Sequence, residues 1–267
     1  MESITVLGAG VVGLSTALQL IERGFKVTII AECLPEDAKS IKYTSHWAGA
    51  HHVTIAGDRR QLGIWSFKEM DQVTFETMWR MSTESETEHL FLRLPQLELY
   101  AEPDKAGPES ILNLYPSYEP ISEKGLPSFA KSGCKFETIT IDTPNYLLHL
   151  MNTFKSKGGN VVRACVQHIS QVADGGFWVP KPDAVVVCAG IGARTLGGVE
   201  DTHVYPIRGQ TVLVKAPWIK FGRTCSSTDG TWTYIIPRRS GDVIVGGIKV
   251  DNDWCVILSL EEKDLMN

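Results

Sequence analysis

Buried-type residues Ile4-Thr5-Val6-Leu7 open the chain, and they soon give way to a stretch whose apolar positions recur three and four apart, at Leu14, Ala17, Leu18 and Ile21. That spacing puts the four on one face of a helix. Gly24 stands where a helix closes on a left-handed residue, and Phe25-Lys26-Val27-Thr28-Ile29-Ile30 reads as the next parallel strand. The pattern predicts a βαβ unit at the N-terminus. Between its first strand and its helix lies Gly8-Ala9-Gly10-Val11-Val12-Gly13, a G-x-G-x-x-G turn. Gly8 permits the tight turn, Gly10 lets the backbone approach a phosphate with no Cβ in the way, and Gly13 lets helix and strand pack closely. The helix start then presents unpaired N–H groups and partial positive charge to an anion. Glu32 follows the second strand, about 20 residues beyond the glycines, where an acid accepts ribose hydroxyls. The opening of the chain therefore reads as a dinucleotide pyrophosphate site.

Further along, the patterning changes. Residues 34–57 are loop-like, with Pro35, Ser40, Ser45 and the run His46-Trp47-Ala48-Gly49-Ala50-His51-His52. Over residues 61–81, Ile64, Phe67, Met70, Phe75, Met78 and Trp79 recur at helix-like but imperfect spacing, which predicts a core-packing helix. Residues 90–136 mix short strands such as Leu97-Glu98-Leu99-Tyr100 with Pro- and Ser-rich connections. The α/β rhythm then returns. A helical period over 146–157 ends at Gly158-Gly159, Val161-Val162-Arg163-Ala164-Cys165-Val166 reads as a strand, and Asp183-Ala184-Val185-Val186-Val187-Cys188 has the look of a strand buried on both faces of a parallel sheet. It empties into Ala189-Gly190-Ile191-Gly192-Ala193-Arg194, a second glycine turn at a strand's carboxyl end, the edge where open α/β sheets bind ligands. The last third holds short β-rich segments separated by Gly, Pro and Asp, which predict an antiparallel sheet. The expected fold is α/β: a discontinuous Rossmann-like nucleotide domain over 1–57 and 137–204, and a second, mainly antiparallel β (α+β) domain over 58–136 and 205–267.

Composition narrows the function classes. The 267 residues suffice for one large core or two smaller ones. A net charge of −5 gives no reason to expect nucleic acid or an anionic membrane surface. Met1 leads almost directly into a strand, with no signal-peptide pattern, and no apolar run approaches the roughly 18 residues of a membrane helix. A soluble, intracellular protein is expected. Cys33, Cys134, Cys165, Cys188, Cys225 and Cys255 are scattered without a C-x-x-C pair and read as reduced thiols, so neither a disulfide framework nor a zinc site is expected. His46, His51 and His52 lack a second ligand cluster, and no metal is expected.

Separated pieces of the chain keep a common order: Val6-Leu7-Gly8-Ala9-Gly10-Val11-Val12-Gly13-Leu14-Ser15, Leu34-Pro35-Glu36-Asp37, Trp47-Ala48-Gly49-Ala50, Cys188-Ala189-Gly190-Ile191-Gly192-Ala193, Pro206-Ile207-Arg208-Gly209-Gln210-Thr211 and Tyr234-Ile235-Ile236-Pro237-Arg238. Together they resemble the FAD-dependent D-amino-acid oxidases, fungal members above all. The resemblance implies an extended FAD, with Gly8, Gly10, Val11, Val12 and Gly13 at the pyrophosphate and Glu32 with Cys33 at the adenosine ribose. It also implies that Ser45, Ala48, Gly49 and Ala50 contact the phosphate and flavin side, that Val166 reaches the adenine through its backbone, and that Gly190 lines the cofactor channel. Relatives often carry Asp or Arg at the positions of Glu32 and Cys33; this pair keeps an acid and lacks a guanidinium. A 2′-phosphate would meet Glu32 as a like charge, so FAD rather than NADP is expected, although the first βαβ by itself would also suit an NAD-dependent dehydrogenase.

In the family a Tyr hydroxyl and an Arg guanidinium grip the substrate's α-carboxylate while the flavin N5 accepts hydride from Cα, and Tyr234 matches that tyrosine. His51 or His52, following Trp-Ala-Gly-Ala, is expected either to face the substrate or to hydrogen-bond within its loop. The implied partners are a D-amino acid and dioxygen, the implied products a 2-oxo acid, ammonia and hydrogen peroxide. A D-aspartate, D-glutamate or glycine-type oxidase is the alternative on the same fold. The resemblance is compatible with a homodimer and implies a peroxisomal location. The family pattern continues past Asn267 with the carboxylate-binding arginine, a His-x-Tyr-Gly stretch, further strands and often a peroxisomal terminal signal. From this the chain is expected to be C-terminally truncated, ending in the first turns of a helix over 259–267. It would otherwise be cytoplasmic, and it would be a catalytically impaired FAD-binding protein unless Arg208 or Arg238 takes over the carboxylate.

Overall fold

The computed structural model describes residues 1–54, 61–62, 65–103, 111–176, 178–227 and 231–255. Strand β1 (Ser3–Leu7), helix α1 (Val11–Glu22) and strand β2 (Lys26–Ala31) open it. Strands β3 (Gln61–Leu62) and β4 (Trp65–Ser66), helix α2 (Phe67–Met81), and strands β5 (Phe91–Tyr100), β6 (Glu119–Pro120) and β7 (Ser132–Ile141) follow. Then come helix α3 (Thr143–Ser156), strand β8 (Asn160–Arg163), helix α4 (Ser170–Ala173) and strand β9 (Ala184–Val187). Strands β10 (Ile207–Lys215), β11 (Gly222–Ser226), β12 (Trp232–Pro237) and β13 (Asp242–Asp251) come last.

The chain divides into two units. The first takes Met1–Ala48, Thr143–Arg208 and the chain from Val250; the second takes Gly49–Asp142 and Gly209–Lys249. The first crossing falls inside the Trp47-Ala48-Gly49-Ala50 run, and the second where β7 gives way to α3.

The first unit is built on a parallel sheet of order β8-β2-β1-β9. Val6 of β1 pairs with Ile29 of β2 on one side and with Val186 of β9 on the other. Helix α1 buries Gly13, Leu14 and Ala17, and packs against α3. It closes as its sequence predicts: Gly24 takes φ +90°, its N–H donates to the Ile21 carbonyl, and the Phe25 N–H reaches the Leu20 carbonyl at 3.2 Å. The expectation for Ala184-Val185-Val186-Val187 needs correcting. Strand β9 is an edge strand, with Ala184 exposed and its three valines half-buried. An apolar run reads alike at an edge and in the middle of a sheet, because hydropathy along the chain does not record which strands lie beside it.

A seven-stranded sheet of order β10-β13-β12-β11-β5-β7-β6 holds the other strands except β3 and β4, which pair with each other. The pairs β11–β12, β12–β13, β5–β7 and β6–β7 are antiparallel, whereas β11 runs parallel to β5. The mostly antiparallel sheet therefore carries a parallel seam at β11–β5, where strands far apart in the chain meet without a hairpin between them. Beside that seam lies a buried polar cluster: the Gln96 amide donates to Glu98 Oε1 at 2.7 Å and to Thr224 Oγ1 at 3.0 Å. Helix α2 starts at Phe67, not near residue 61, because Gln61–Leu62 and Trp65–Ser66 pair as an antiparallel ladder. Ile64, counted in the expected helical stripe, lies outside the described residues, as does the expected helix over 259–267.

Candidate functional site

The turn after β1 is shaped by the protein's own backbone. Gly8 sits at φ +109°, and a Cβ there would strike the Cys188 carbonyl at the end of β9; a Cβ on Gly13 would strike the Gly8 carbonyl. Both glycines are required by internal packing. Gly10 differs, since a Cβ on it would meet only the Ser45 hydroxyl, at 3.2 Å. Gly190, at φ +55° just after β9, has nothing within 4 Å of where a Cβ would stand. Gly10 and Gly190 thus face open space, and that space is a groove of about 440 Å³ along the carboxyl ends of the parallel strands. Its lining includes Gly8, Gly10, Glu32, Cys33, Ser45, Val166 and Gly190. The Val11 N–H at the start of α1 donates to Ser45 Oγ at 3.1 Å; Val11 and Val12 are exposed, and no acid sits in the first turn to offset the helix's positive end.

The far end of the groove holds features that the chain order hides. Lys42 Nζ lies 2.7 Å from Glu32 Oε1, and that hydrogen bond holds the Glu32 carboxyl below its usual range. The Cys165 thiol donates to Glu32 Oε2 at 3.7 Å. Burial pushes the neighbouring Cys33 thiol up. Arg163, at the end of β8, grips both oxygens of Asp37 at 2.7 and 2.8 Å and donates to the Glu32 carbonyl at 3.3 Å. Asp37 also accepts the Leu34 N–H at 2.8 Å, and its carboxyl is pushed down to about 2, chiefly by the Arg163 hydrogen bond. The 32–37 turn is clamped from outside. No guanidinium follows β2 in sequence, but the β2–β8 pairing, Ala31 opposite Arg163, brings one there. Neither Lys42 nor Arg163 leaves a periodic signal that sequence reading could use. His46 is buried, its Nε2 lies 3.0 Å from the Pro35 carbonyl, and it packs edge-on against Tyr43, whose hydroxyl donates to the Ala9 carbonyl.

The Ala48 carbonyl accepts the Thr143 hydroxyl at 3.2 Å in the first unit. Gly49, Ala50, His51, His52 and Tyr234 belong to the second unit. The Gly49 carbonyl accepts Arg238 Nε at 2.7 Å, and a Cβ on Gly49 would meet Ile236 Cδ1 at 2.6 Å. Ala50 accepts the Ile141 N–H at 2.8 Å. His51 bridges to Thr140, and burial pushes its imidazole down to about 4. His52 Nδ1 lies 2.7 Å from the Tyr115 hydroxyl, and its ring lines a cavity of the second unit beside Phe75. Tyr234 stands opposite Gly246 in the β12–β13 pair, and side chains at Gly246 or Gly247 would run into its phenol. Its hydroxyl has no hydrogen-bond partner among the described residues, and burial raises its pKa. Arg208 pairs with Asp253 at 2.6 Å, and the fully buried Arg238 spends its Nε on the Gly49 carbonyl. Among the described residues no cluster of three or more His, Cys, Asp or Glu converges as metal ligands, and no helix is long and apolar enough to cross a membrane.

A parallel sheet whose carboxyl edge opens on a groove, with a glycine turn and an uncompensated helix start, defines a dinucleotide-binding protein. The family profile described as FAD dependent oxidoreductase matches residues 3–264, and the chain belongs to that family; FAD is its cofactor. The chain is 33% identical, over 94% of its length and 67% of the relative's, to a D-aspartate oxidase of Cryptococcus neoformans var. grubii. It is 34% identical, over 95% of its length and 71% of the relative's, to a D-amino-acid oxidase of Schizosaccharomyces pombe. Its fold is similar to the crystal structure of glycine oxidase from Geobacillus kaustophilus, with a TM-score of 0.68 at 16% identity, covering 98% of this chain and 75% of that one. The groove suits the cofactor: Gly10 and Gly190 leave Cβ-free approaches, and the Glu32 carboxylate lines its far end. Because Arg163 holds the turn bearing Glu32 and Cys33, Arg163→Gln is expected to weaken FAD retention about threefold to tenfold while moving the melting temperature little, the pair being exposed. Flavin fluorescence on dilution, alongside thermal melting, checks this.

Proposed function

We propose that the protein oxidises D-amino acids with dioxygen to the imino acid and hydrogen peroxide, and that water then hydrolyses the imino acid to the 2-oxo acid and ammonia. In this reading the glycine turn with Val11 and Val12 takes the pyrophosphate, Glu32 and Cys33 take the adenosine ribose, and Val166 meets the adenine. Ser45, Ala48, Gly49 and Ala50 serve the phosphate and flavin side, and Gly190 lines the channel. When bound, FAD supplies the hydride acceptor for the substrate's Cα–H and passes the electron pair to dioxygen. The chain's own part is orientation. The observation that carries the reading is the Tyr234 hydroxyl, which is half-buried, given room by Gly246 and Gly247 and without a partner among the described residues. With its pKa raised by burial it stays protonated at neutral pH and donates to the substrate's α-carboxylate. The named relatives support the substrate class, and the D-aspartate oxidase among them favours a second reading, in which acidic D-amino acids are preferred.

A hydrogen bond to a charged group contributes about 1.5–3 kcal/mol. Tyr234→Phe is therefore expected to lower kcat/KM roughly 10- to 150-fold with the flavin spectrum unchanged. Peroxide release across a panel of D-amino acids is the measurement. No release from any member by flavin-loaded protein would reject the proposal, an unchanged kcat/KM in the variant would remove Tyr234 from the substrate, and the ratio of D-aspartate to D-alanine turnover separates the two readings.

A further inference from the structure

Helix α2 carries Asp71, Phe75 and Trp79 at intervals of four, with Glu76 beside them, so all four lie along one face. That face walls a cavity of about 160 Å³ in the second unit, completed by His52 and Tyr115 among others. Its rings form a cluster, with Phe75 4.8 Å from Tyr115, 5.2 Å from Trp79 and 5.3 Å from His52. The charged side chains lining it are the two carboxylates, and no Lys or Arg is among the described lining residues. Each carboxylate accepts a neutral partner on one oxygen, the Thr54 hydroxyl on Asp71 and the Gln72 amide on Glu76 at 3.0 Å, and among the described lining residues no cation neutralises either. His52 adds no positive charge near neutral pH, since burial lowers its pKa and its Nδ1 is taken up by Tyr115. The Arg93 guanidinium, outside the lining, stacks 3.9 Å from the Trp79 ring and is held by the Ser82 hydroxyl and the Trp79 carbonyl.

Aromatic faces beside uncompensated carboxylates select a cation that can shed water against rings. A monatomic cation would need a shell of oxygen ligands, which the rings do not supply. At about 160 Å³ the space holds a molecule of roughly benzene's size. We propose that this cavity binds a small organic ammonium ion of roughly five or six heavy atoms. The site is separate from the flavin reading, because its lining and that of the nucleotide groove share no residue.

The test titrates the FAD-loaded protein with tert-butylammonium and with tert-butanol, a neutral molecule of the same shape, by ligand-observed NMR at neutral pH. Saturable ammonium binding with a Kd on the order of millimolar is expected, with the alcohol at least about tenfold weaker. Glu76→Gln should weaken ammonium binding about threefold to tenfold, and so should Asp71→Asn. Gln72→Lys, which sets an ammonium group at the cavity wall, should abolish it. Asp71 also holds Thr54, so Asp71→Asn can fail to fold; Glu76 and Gln72 are exposed and decide the matter without it. Equal binding of alcohol and ammonium, no saturation below about 100 mM, or unchanged affinity in both Glu76→Gln and Gln72→Lys would overturn the proposal.

Discussion

Gly13→Ala is expected to lower the melting temperature by several degrees and to weaken FAD binding at least roughly tenfold, equivalent to about 1.4 kcal/mol. Helix propensity alone argues the opposite, since alanine favours a helix interior over glycine by about 1 kcal/mol. The tertiary contact wins. A Cβ on Gly13 would strike the Gly8 carbonyl and lie 2.9 Å from its carbon and 3.4 Å from Cys188 Cβ, both residues lying just past strand ends and anchored by the Gly8 N–H on the Ile30 carbonyl and the Cys188 N–H on the Leu7 carbonyl. Helix α1 must therefore back away from the sheet, and overpacking of this kind costs about 1–3 kcal/mol. The shift also moves the start of α1 at the edge of the groove, so stability and affinity are expected to fall together. Gly24→Ala is the control. Gly24 is left-handed at φ +90° with nothing within 4 Å of a Cβ, so alanine costs about 1–2 kcal/mol of backbone strain and leaves FAD affinity unchanged. If Gly13→Ala melts and binds FAD like the parent protein, the close packing of α1 on the glycine turn is not what holds the groove in shape.

Glu98→Gln and His51→Asn are expected to expose two opposing pH dependences that nearly cancel in the parent protein. Glu98 is 2% exposed, and burial pushes its carboxyl up to about 7, against the pull of hydrogen bonds from Gln96, Thr224 and Tyr100. Its folded pKa lies above its unfolded value of 4.5, so its contribution is complete below 4.5 and is lost as pH rises toward 7. The titratable neighbours Tyr100 and Cys134 are both pushed up by burial and stay neutral across that range. His51 runs the other way. Burial and then the neighbouring His52 bring its imidazole down to about 4 from 6.5, so its contribution is complete above 6.5 and is lost as pH falls toward 4. Each shift corresponds to up to ~3 kcal/mol at its plateau. Between the two unfolded values the slopes oppose each other and the parent protein's stability changes little. Glu98→Gln should be more stable than the parent at pH 8 by up to ~3 kcal/mol and should lose stability steadily on acidification. His51→Asn should instead lose stability as pH rises from about 4.5 to about 7. Thermal melting of the three proteins across pH 4 to about 8 measures this; parallel curves would show that neither group is perturbed in the folded state.

Local chemistry was legible in the chain. The apolar stripe of α1, its closure at Gly24, the glycine turn and the acid after β2 all depend on residues within a few positions of one another, where backbone preference and helical period act directly. Long-range contact was not. The Arg163 grip on Asp37 spans 126 residues, and the His52 contact with Tyr115 spans 63. Lys42 approaches Glu32 across a loop without periodicity. Nothing in Ala184-Val185-Val186-Val187 tells an edge strand from a central one, and nothing in Glu98 marks a carboxyl that burial will raise. Hydropathy and turn chemistry determined that a βαβ unit with a phosphate-ready helix start would form, together with β-rich segments beyond it. Sheet order decided the rest: which strand edge stays open, which distant cation clamps the turn after β2, and which titratable side chains lose their water. Strand pairing between remote segments depends on the free energy of the whole packed unit, and no short window of sequence carries it.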